Sequence, residues 1–331
     1  MLKNLLAHSI LDTIGNTPLM EFNFKYDNEN WHFLAKLEFL NPSGSIKDRI
    51  AKYVIELAEK KNEISSDSIV VEATSGNTGI SFAMVCAVKG YRCIIVMPEN
   101  VSIERQKIIT MLGSEICLSP AEEFYAGAVQ RTKNMALKNP KVFLPSQFEN
   151  FDDIDCHYHT TALEIINSLP QHHIDAFVAG IGTGATLMGV GKKLKEFYPD
   201  CKIIAVEPKE AAVLYGCPEI KKHDIPGIGA GFIPKLVDPK QIDWCELIAS
   251  QDALAMTRVV SSKLGIMIGV SSGANILGVI NVLKKIGKDK NVVTVLPDRS
   301  ERYFSTHLYT DYNNYIIRNC RNHCEDPFCQ I

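Results

Sequence analysis

Short apolar runs rich in β-branched residues recur along the chain, each followed by a stretch with helical spacing. This alternation constrains the fold more than any other feature. The runs at 69–72, 92–97, 141–144, 176–179, 202–207 and 292–296 are apolar without a polar face, so they read as strands buried on both sides. Strands of that kind belong to parallel sheets covered by helices. Helices are predicted over 49–61, 77–89, 102–112, 121–137, 186–197, 252–264 and 273–286, with Gly90 and Gly113 placed as stops. The expected class is α/β, each lobe a mostly parallel sheet between helices. A chain of 331 residues carries about two domains at ~150 residues each.

Charge and apolar length then exclude partners. Lys plus Arg total 35 against 38 Asp plus Glu, a net charge of -3. No basic surplus faces a phosphate backbone, so nucleic acid is not an expected partner. Residues 264–283 carry no charge over a length that spans a bilayer. Four glycines, two serines and two asparagines inside them read instead as a strand, a tight turn and a buried helix, so no membrane is expected. Lys3, His8 and Asp12 interrupt the start where a secretory signal needs an apolar core, which predicts a cytoplasmic protein. Ten cysteines are present; seven are scattered singly, and Cys320, Cys324 and Cys329 with His323 close the chain at spacings that match no standard zinc knuckle. No metal is expected.

Four loops carry chemistry. Residues 41–49, Asn-Pro-Ser-Gly-Ser-Ile-Lys-Asp-Arg, present Lys47 at the start of a helix. The field of a helix N-terminus favours the neutral amine that a Schiff base needs. Residues 72–79 follow a strand and open a helix with Thr74, Ser75, Gly76, Asn77 and Thr78. Free amides and hydroxyls there make a site for a small anion; helix capping alone accounts for one such polar residue, not four. Between another strand and helix lie Gly182, Thr183, Gly184, Ala185 and Thr186, a glycine-rich turn that lets backbone amides approach a phosphate. A dinucleotide fingerprint would need glycine where Leu187 stands. The fourth loop, Gly269-Val-Ser271-Ser272-Gly273, matches the nucleophile elbow of α/β-hydrolases, and Ser271, Asp298 and His307 follow that fold's triad order. A serine hydrolase is therefore a competing reading, although it leaves the first two loops without a role.

Taken together and in this order, the four loops resemble the cysteine synthase branch of the fold type II pyridoxal-phosphate enzymes over roughly residues 8–310. The resemblance implies pyridoxal 5'-phosphate as cofactor, with Lys47 as its Schiff-base lysine and general base. It implies that Asn77 bonds the ring hydroxyl, that 182–186 cradle the phosphate, and that Ser271 faces the pyridine nitrogen, with adjacent Ser272 as the rival. Thr74, Ser75, Gly76, Thr78 and Gln147 would hold the substrate carboxylate. Residues 102–105 and 227–234 are similar to tracts of the cysteine synthase A group.

The activity so implied is β-replacement through an aminoacrylate, O-acetyl-L-serine plus sulfide giving L-cysteine plus acetate. Related members use O-phosphoserine, make diaminopropionate precursors or form cystathionine. A homodimer is implied, as is serine acetyltransferase as a partner. Residues 41–149 are expected to form a smaller mobile lobe, 1–40 with 150–312 the larger cofactor-binding lobe, and 313–331 a tail. The chain departs from the family pattern at Ala185, a usual glycine, and at 297–303, where Ser300 stands in place of the glycine before Glu-Arg-Tyr. Alanine fits the cradle only if its φ is negative.

Overall fold

A computed structural model of the chain describes residues 6–311 other than 75, 170–172 and 218. Ser75 and the tail 313–331 with its cysteines and His323 lie outside the described residues. The first two strands, β1 (Leu19–Tyr26) and β2 (Glu29–Lys36), form an antiparallel hairpin. Asp27 and Asn28 turn it with φ of 52° and 59°, the left-handed pair that matches the twist of the strands it joins.

Thereafter helices and strands alternate: α1 (Lys47–Lys60), β3 (Ile69–Ala73), α2 (Asn77–Lys89), β4 (Arg92–Pro98), α3 (Ile103–Met111), β5 (Glu115–Ser119), α4 (Phe124–Lys138) and β6 (Val142–Phe143). Two short helices, α5 (Asp152–His159) and α6 (Thr161–Ser168), lead into β7 (Ala176–Gly180), α7 (Ala185–Phe197), β8 (Lys202–Pro208) and β9 (Trp244–Ile248). The described chain closes with α8 (Ser250–Leu264), α9 (Val270–Ile286), β10 (Val292–Val295) and α10 (His307–Thr310).

Two sheets result. The larger has the order β1-β2-β10-β7-β8-β9 and is parallel except at the β1–β2 hairpin; the smaller is wholly parallel in the order β5-β4-β3-β6. Each is packed between helix layers. On the larger sheet, Val178, Ile204 and Val206 meet α8 and α9 through Met256, Ala274 and Val279. Its other face packs Phe177, Ile203 and Val293 against α6 and α7 through Ile165, Leu187 and Leu194. On the smaller sheet, Val70, Ile95 and Met97 are covered by Ile50, Val54, Ile80 and Ile109, and Val71 and Val96 by Ala128 of α4.

All six predicted strands are present, each within two residues of its expected ends. The sequence pattern passes over the short helices α5 and α6, and two strands that it also misses share a cause. β1 alternates buried and exposed positions, and the edge strand β5 buries only its last residue fully, so neither shows a continuous apolar run. In place of a membrane span, 264–283 hold the end of α8, a left-handed Gly265 (φ +69°) and most of α9. Ile268 makes a single bridge to Arg299 where a strand is expected. Among the described residues no helix is long and apolar enough to cross a membrane.

Candidate active site

The polar loops sit at the carboxyl ends of parallel strands, where a strand gives way to a helix and the first amides of that helix are free. They meet around one cleft of about 600 Å³, a volume ordinary for a small-molecule site. Lys47, Thr74, Gly76, Asn77, Thr78, Gln147, Gly182, Thr183, Gly184, Thr186 and Ser271 all line it. Ala185 does not; it is the first residue of α7 and turns its methyl into the core. Its φ is not positive, since the left-handed position falls on Gly184 (φ +91°). The methyl is therefore tolerated where the family usually has glycine.

Lys47 opens α1. Burial pushes its amine below the usual lysine range, against the opposing pull of Asp153. The helix field anticipated from sequence is thus not the leading cause; desolvation is. No hydrogen bond joins the amine to another described residue. Beneath it lie two buried carboxyls, Glu72 at the end of β3 and Asp153 in α5, each with one oxygen that has no partner. Glu72 is pushed up to about 8 by burial and by Asp153, and Asp153 to about 7 by burial, with Lys47 opposing.

The sign of the resulting pH effect follows from these shifts. Both groups keep protons in the folded state that the unfolded chain releases near pH 4, so stability falls as pH rises from about 4 to about 8. Asp153→Asn is expected to flatten that fall by roughly 1.4 kcal/mol per pH unit at most. Denaturant unfolding at pH 5.5 and 7.5 measures it, and equal slopes in the two proteins would show that Asp153 is already ionised.

The anion loop is built by short-range ties. Thr74 Oγ1 accepts from the Gly76 amide at 3.2 Å, and the Thr74 amide donates to the Val96 carbonyl at 3.0 Å. Thr78 Oγ1 donates to Gln147 Oε1 at 2.7 Å, and Gln147 Nε2 donates to the Ala73 carbonyl at 3.0 Å. The structure thus brings Gln147 to the loop with which it was grouped from sequence. Asn77 Nδ2 donates to Asp298 Oδ2 at 2.7 Å, and Arg302 Nη1 donates to Asn77 Oδ1. That fixes the amide's orientation and leaves its second N–H free.

In the glycine turn, a Cβ on Gly182 would lie 2.2 Å from the Gly227 carbonyl oxygen and one on Gly184 2.3 Å from Val237 Cγ2. Bare backbone is therefore required at both. Thr186 Oγ1 pairs with His157 Nε2 at 3.2 Å, and the Ala185 amide that opens the 13-residue α7 donates to Thr183 Oγ1 at 3.4 Å. Ser271 lines the cleft, whereas Ser272 is fully buried with an unpartnered hydroxyl. The hydrolase triad is not assembled. Asp298 receives Asn77 and Tyr303, while His307 pairs with Asp224 at 3.1 Å.

Sequence reasoning missed Asn275, whose side chain accepts from the Gly180 amide and donates to the Val295 carbonyl, both at 2.8 Å. It locks the ends of two central strands below the glycine turn. The available signal was an asparagine among the apolar residues that follow the Ser271-Ser272-Gly273 turn.

The family described as Pyridoxal-phosphate dependent enzyme matches residues 10–298. The chain belongs to that family. A cysteine synthase of Staphylococcus aureus (strain Mu50) is 43% identical over 302 residues, which cover 91% of this chain and 97% of that protein. Among solved structures, a hydrogen sulfide-producing enzyme from Fusobacterium nucleatum superposes with a TM-score of 0.87 at 41% identity, covering 90% of each chain. An O-acetylserine dependent cystathionine beta-synthase from Helicobacter pylori superposes with a TM-score of 0.86 at 37% identity, covering 92% of this chain and 99% of that one.

The residues present fit the family's cofactor. A turn stripped of side chains at the start of α7 suits a phosphate. An amine with a depressed pKa in the same cleft suits an aldehyde.

Proposed function

We propose that this pyridoxal-phosphate enzyme performs β-replacement, converting O-acetyl-L-serine and sulfide into L-cysteine and acetate. The observation that carries the reading is the convergence, in one cleft, of a desolvated lysine amine, a backbone phosphate cradle and a separate neutral-donor loop for a carboxylate. Bound there, pyridoxal phosphate supplies the electron sink that makes an amino acid's α-proton acidic and lets a β-substituent leave.

The chain's own residues supply the rest. Gly182, Thr183, Gly184 and Thr186 hold the phosphate, with the amide of Ala185 at the helix start. Asn77 offers its remaining N–H to the ring hydroxyl. Ser271 would offer the ring nitrogen a hydroxyl, which does not keep that nitrogen protonated as a carboxylate would. Lys47 Nζ would hold the aldehyde carbon and, when free, would accept the α-proton. Thr74, Ser75, Gly76, Thr78 and Gln147 orient the α-carboxylate, and that grip draws the lobe of residues 41–149 over the site and excludes water. The reading extends to a homodimer with serine acetyltransferase as its partner, both taken from the family likeness, and to the cytoplasm, expected from the polar residues at the start of the chain.

A visible absorption spectrum of the purified protein tests it. A cofactor band is expected to change on addition of O-acetyl-L-serine and to return when sulfide is added, with cysteine released. Return with homocysteine and not sulfide would transfer the nucleophile to that of the Helicobacter pylori relative. A band that ignores O-acetyl-L-serine and answers O-phosphoserine would replace the donor. A protein that takes up no pyridoxal phosphate would overturn the reading.

A further inference from the structure

Arg105, in the first turn of α3, lines the cleft yet is 7% exposed. Its guanidinium lies over the Tyr303 ring, 4.9 Å from the centroid. Among the described residues only Nη1 has a hydrogen-bond partner, Ser102 Oγ at 3.0 Å, and the buried Nε has none. A buried guanidinium N–H without an acceptor is costly unless something arrives to take it. Its neighbour is Gly76, where a Cβ would lie 3.8 Å from Arg105 Nε. The free donor thus abuts the loop 74–78, every one of whose described side chains is neutral. Among the described residues that line the cleft there is no Asp or Glu; Lys47 brings an amine and Arg105 a guanidinium.

Tyr303, the platform under the guanidinium, also donates to Asp298, which accepts from Asn77 in that loop. The plane of the guanidinium and the position of the loop are therefore held by one chain of contacts. Hydroxyls and amides alone can shape a carboxylate site, but a carboxylate leaving water gains most from a charge-assisted donor.

We infer that Arg105 is the charged half of the carboxylate site, a specificity-determining residue that makes the enzyme require a substrate with a free α-carboxylate. This rests on the reading that loop 74–78 takes that group. The carboxylate and not the leaving group of the β-carbon is taken as its target, because the unpaired Nε lies beside Gly76 of that loop.

The test uses the cofactor-loaded enzyme and its visible spectrum, titrated with O-acetyl-L-serine, β-chloro-L-alanine, L-serine and L-serinamide. Arg105→Met is expected to weaken O-acetyl-L-serine and β-chloro-L-alanine equally, by about 10- to 100-fold in the spectral dissociation constant. The bound substrate's kcat should change far less, and the preference for L-serine over L-serinamide should collapse. Arg105→Lys should recover part of the affinity, since it keeps the charge without the planar fork. A loss confined to O-acetyl-L-serine would place Arg105 on the acyl group and overturn the inference. So would unchanged affinity, or a preserved serine preference in a variant that has merely lost thermal stability. An unsubstituted enzyme whose band ignores every amino acid would instead overturn the β-replacement reading itself.

Discussion

Replacing Lys47 by Ala is expected to lower kcat for cysteine formation by about 10⁴-fold or more, because in the proposed function one side chain both anchors the cofactor and moves the α-proton. The structure gives this nitrogen no understudy. Arg105 also lines the cleft, but a guanidinium does not serve as a base in proteins. Burial drives the Lys47 amine toward its neutral form, which is the form that bonds an aldehyde. Lys47→Arg is therefore expected to be as inactive as the alanine variant. Turnover with O-acetyl-L-serine and sulfide, followed alongside the visible band before and after dialysis, measures both losses together. Activity within tenfold of the parent enzyme would remove Lys47 from the chemistry and reopen the search for the residue that carries it.

What the sequence disclosed and what it hid divide along physical lines. Loops 41–49, 72–79 and 182–186 were legible because each places glycines or hydroxyls where a strand hands over to a helix, a junction with free amides whatever the tertiary context. Gln147 lies 69 residues from Thr78, and only the stacking of β3 beside β6 brings them together. Without the family likeness nothing local marks it. Asp153 reads in sequence as an ordinary first-turn acid of α5, one of three there; its burial against Lys47 depends on how α5 packs on α1. The triad order of Ser271, Asp298 and His307 was sequence-legible and physically empty, since order along the chain carries no distance. The choice between Ser271 and Ser272 turned on helix phase. Adjacent residues point about 100° apart on a helix, and the first of them faces the cleft.

Arg49→Met is expected to cost about 3–5 kcal/mol of folding stability, the usual loss when one member of a buried ion cluster is removed. Two residues after Lys47, Arg49 is almost fully buried and bonds Glu38 through Nε at 2.7 Å and Nη2 at 2.8 Å. It also bonds Glu164 through Nη1 and Nη2, both at 2.7 Å. Lys36 Nζ completes the group at 2.7 Å from Glu164. Two cations thus balance two carboxylates. Burial resists ionisation of Glu164, but Arg49 overrides it and holds that carboxyl at about 2. Glu38 follows β2 of the larger sheet, Glu164 belongs to α6, and Arg49 belongs to α1, which packs on the smaller sheet. The cluster therefore pins the helix turn that carries Lys47 to the larger sheet. In Arg49→Met the Glu38 carboxylate is left buried without its cation. Adding Glu38→Gln should recover part of the loss, so the double variant should be more stable than the sum of the single changes predicts. Denaturant unfolding of the four proteins measures the coupling. Strict additivity would mean that Arg49 acts through packing alone, and the clamp on Lys47 would have to be sought elsewhere.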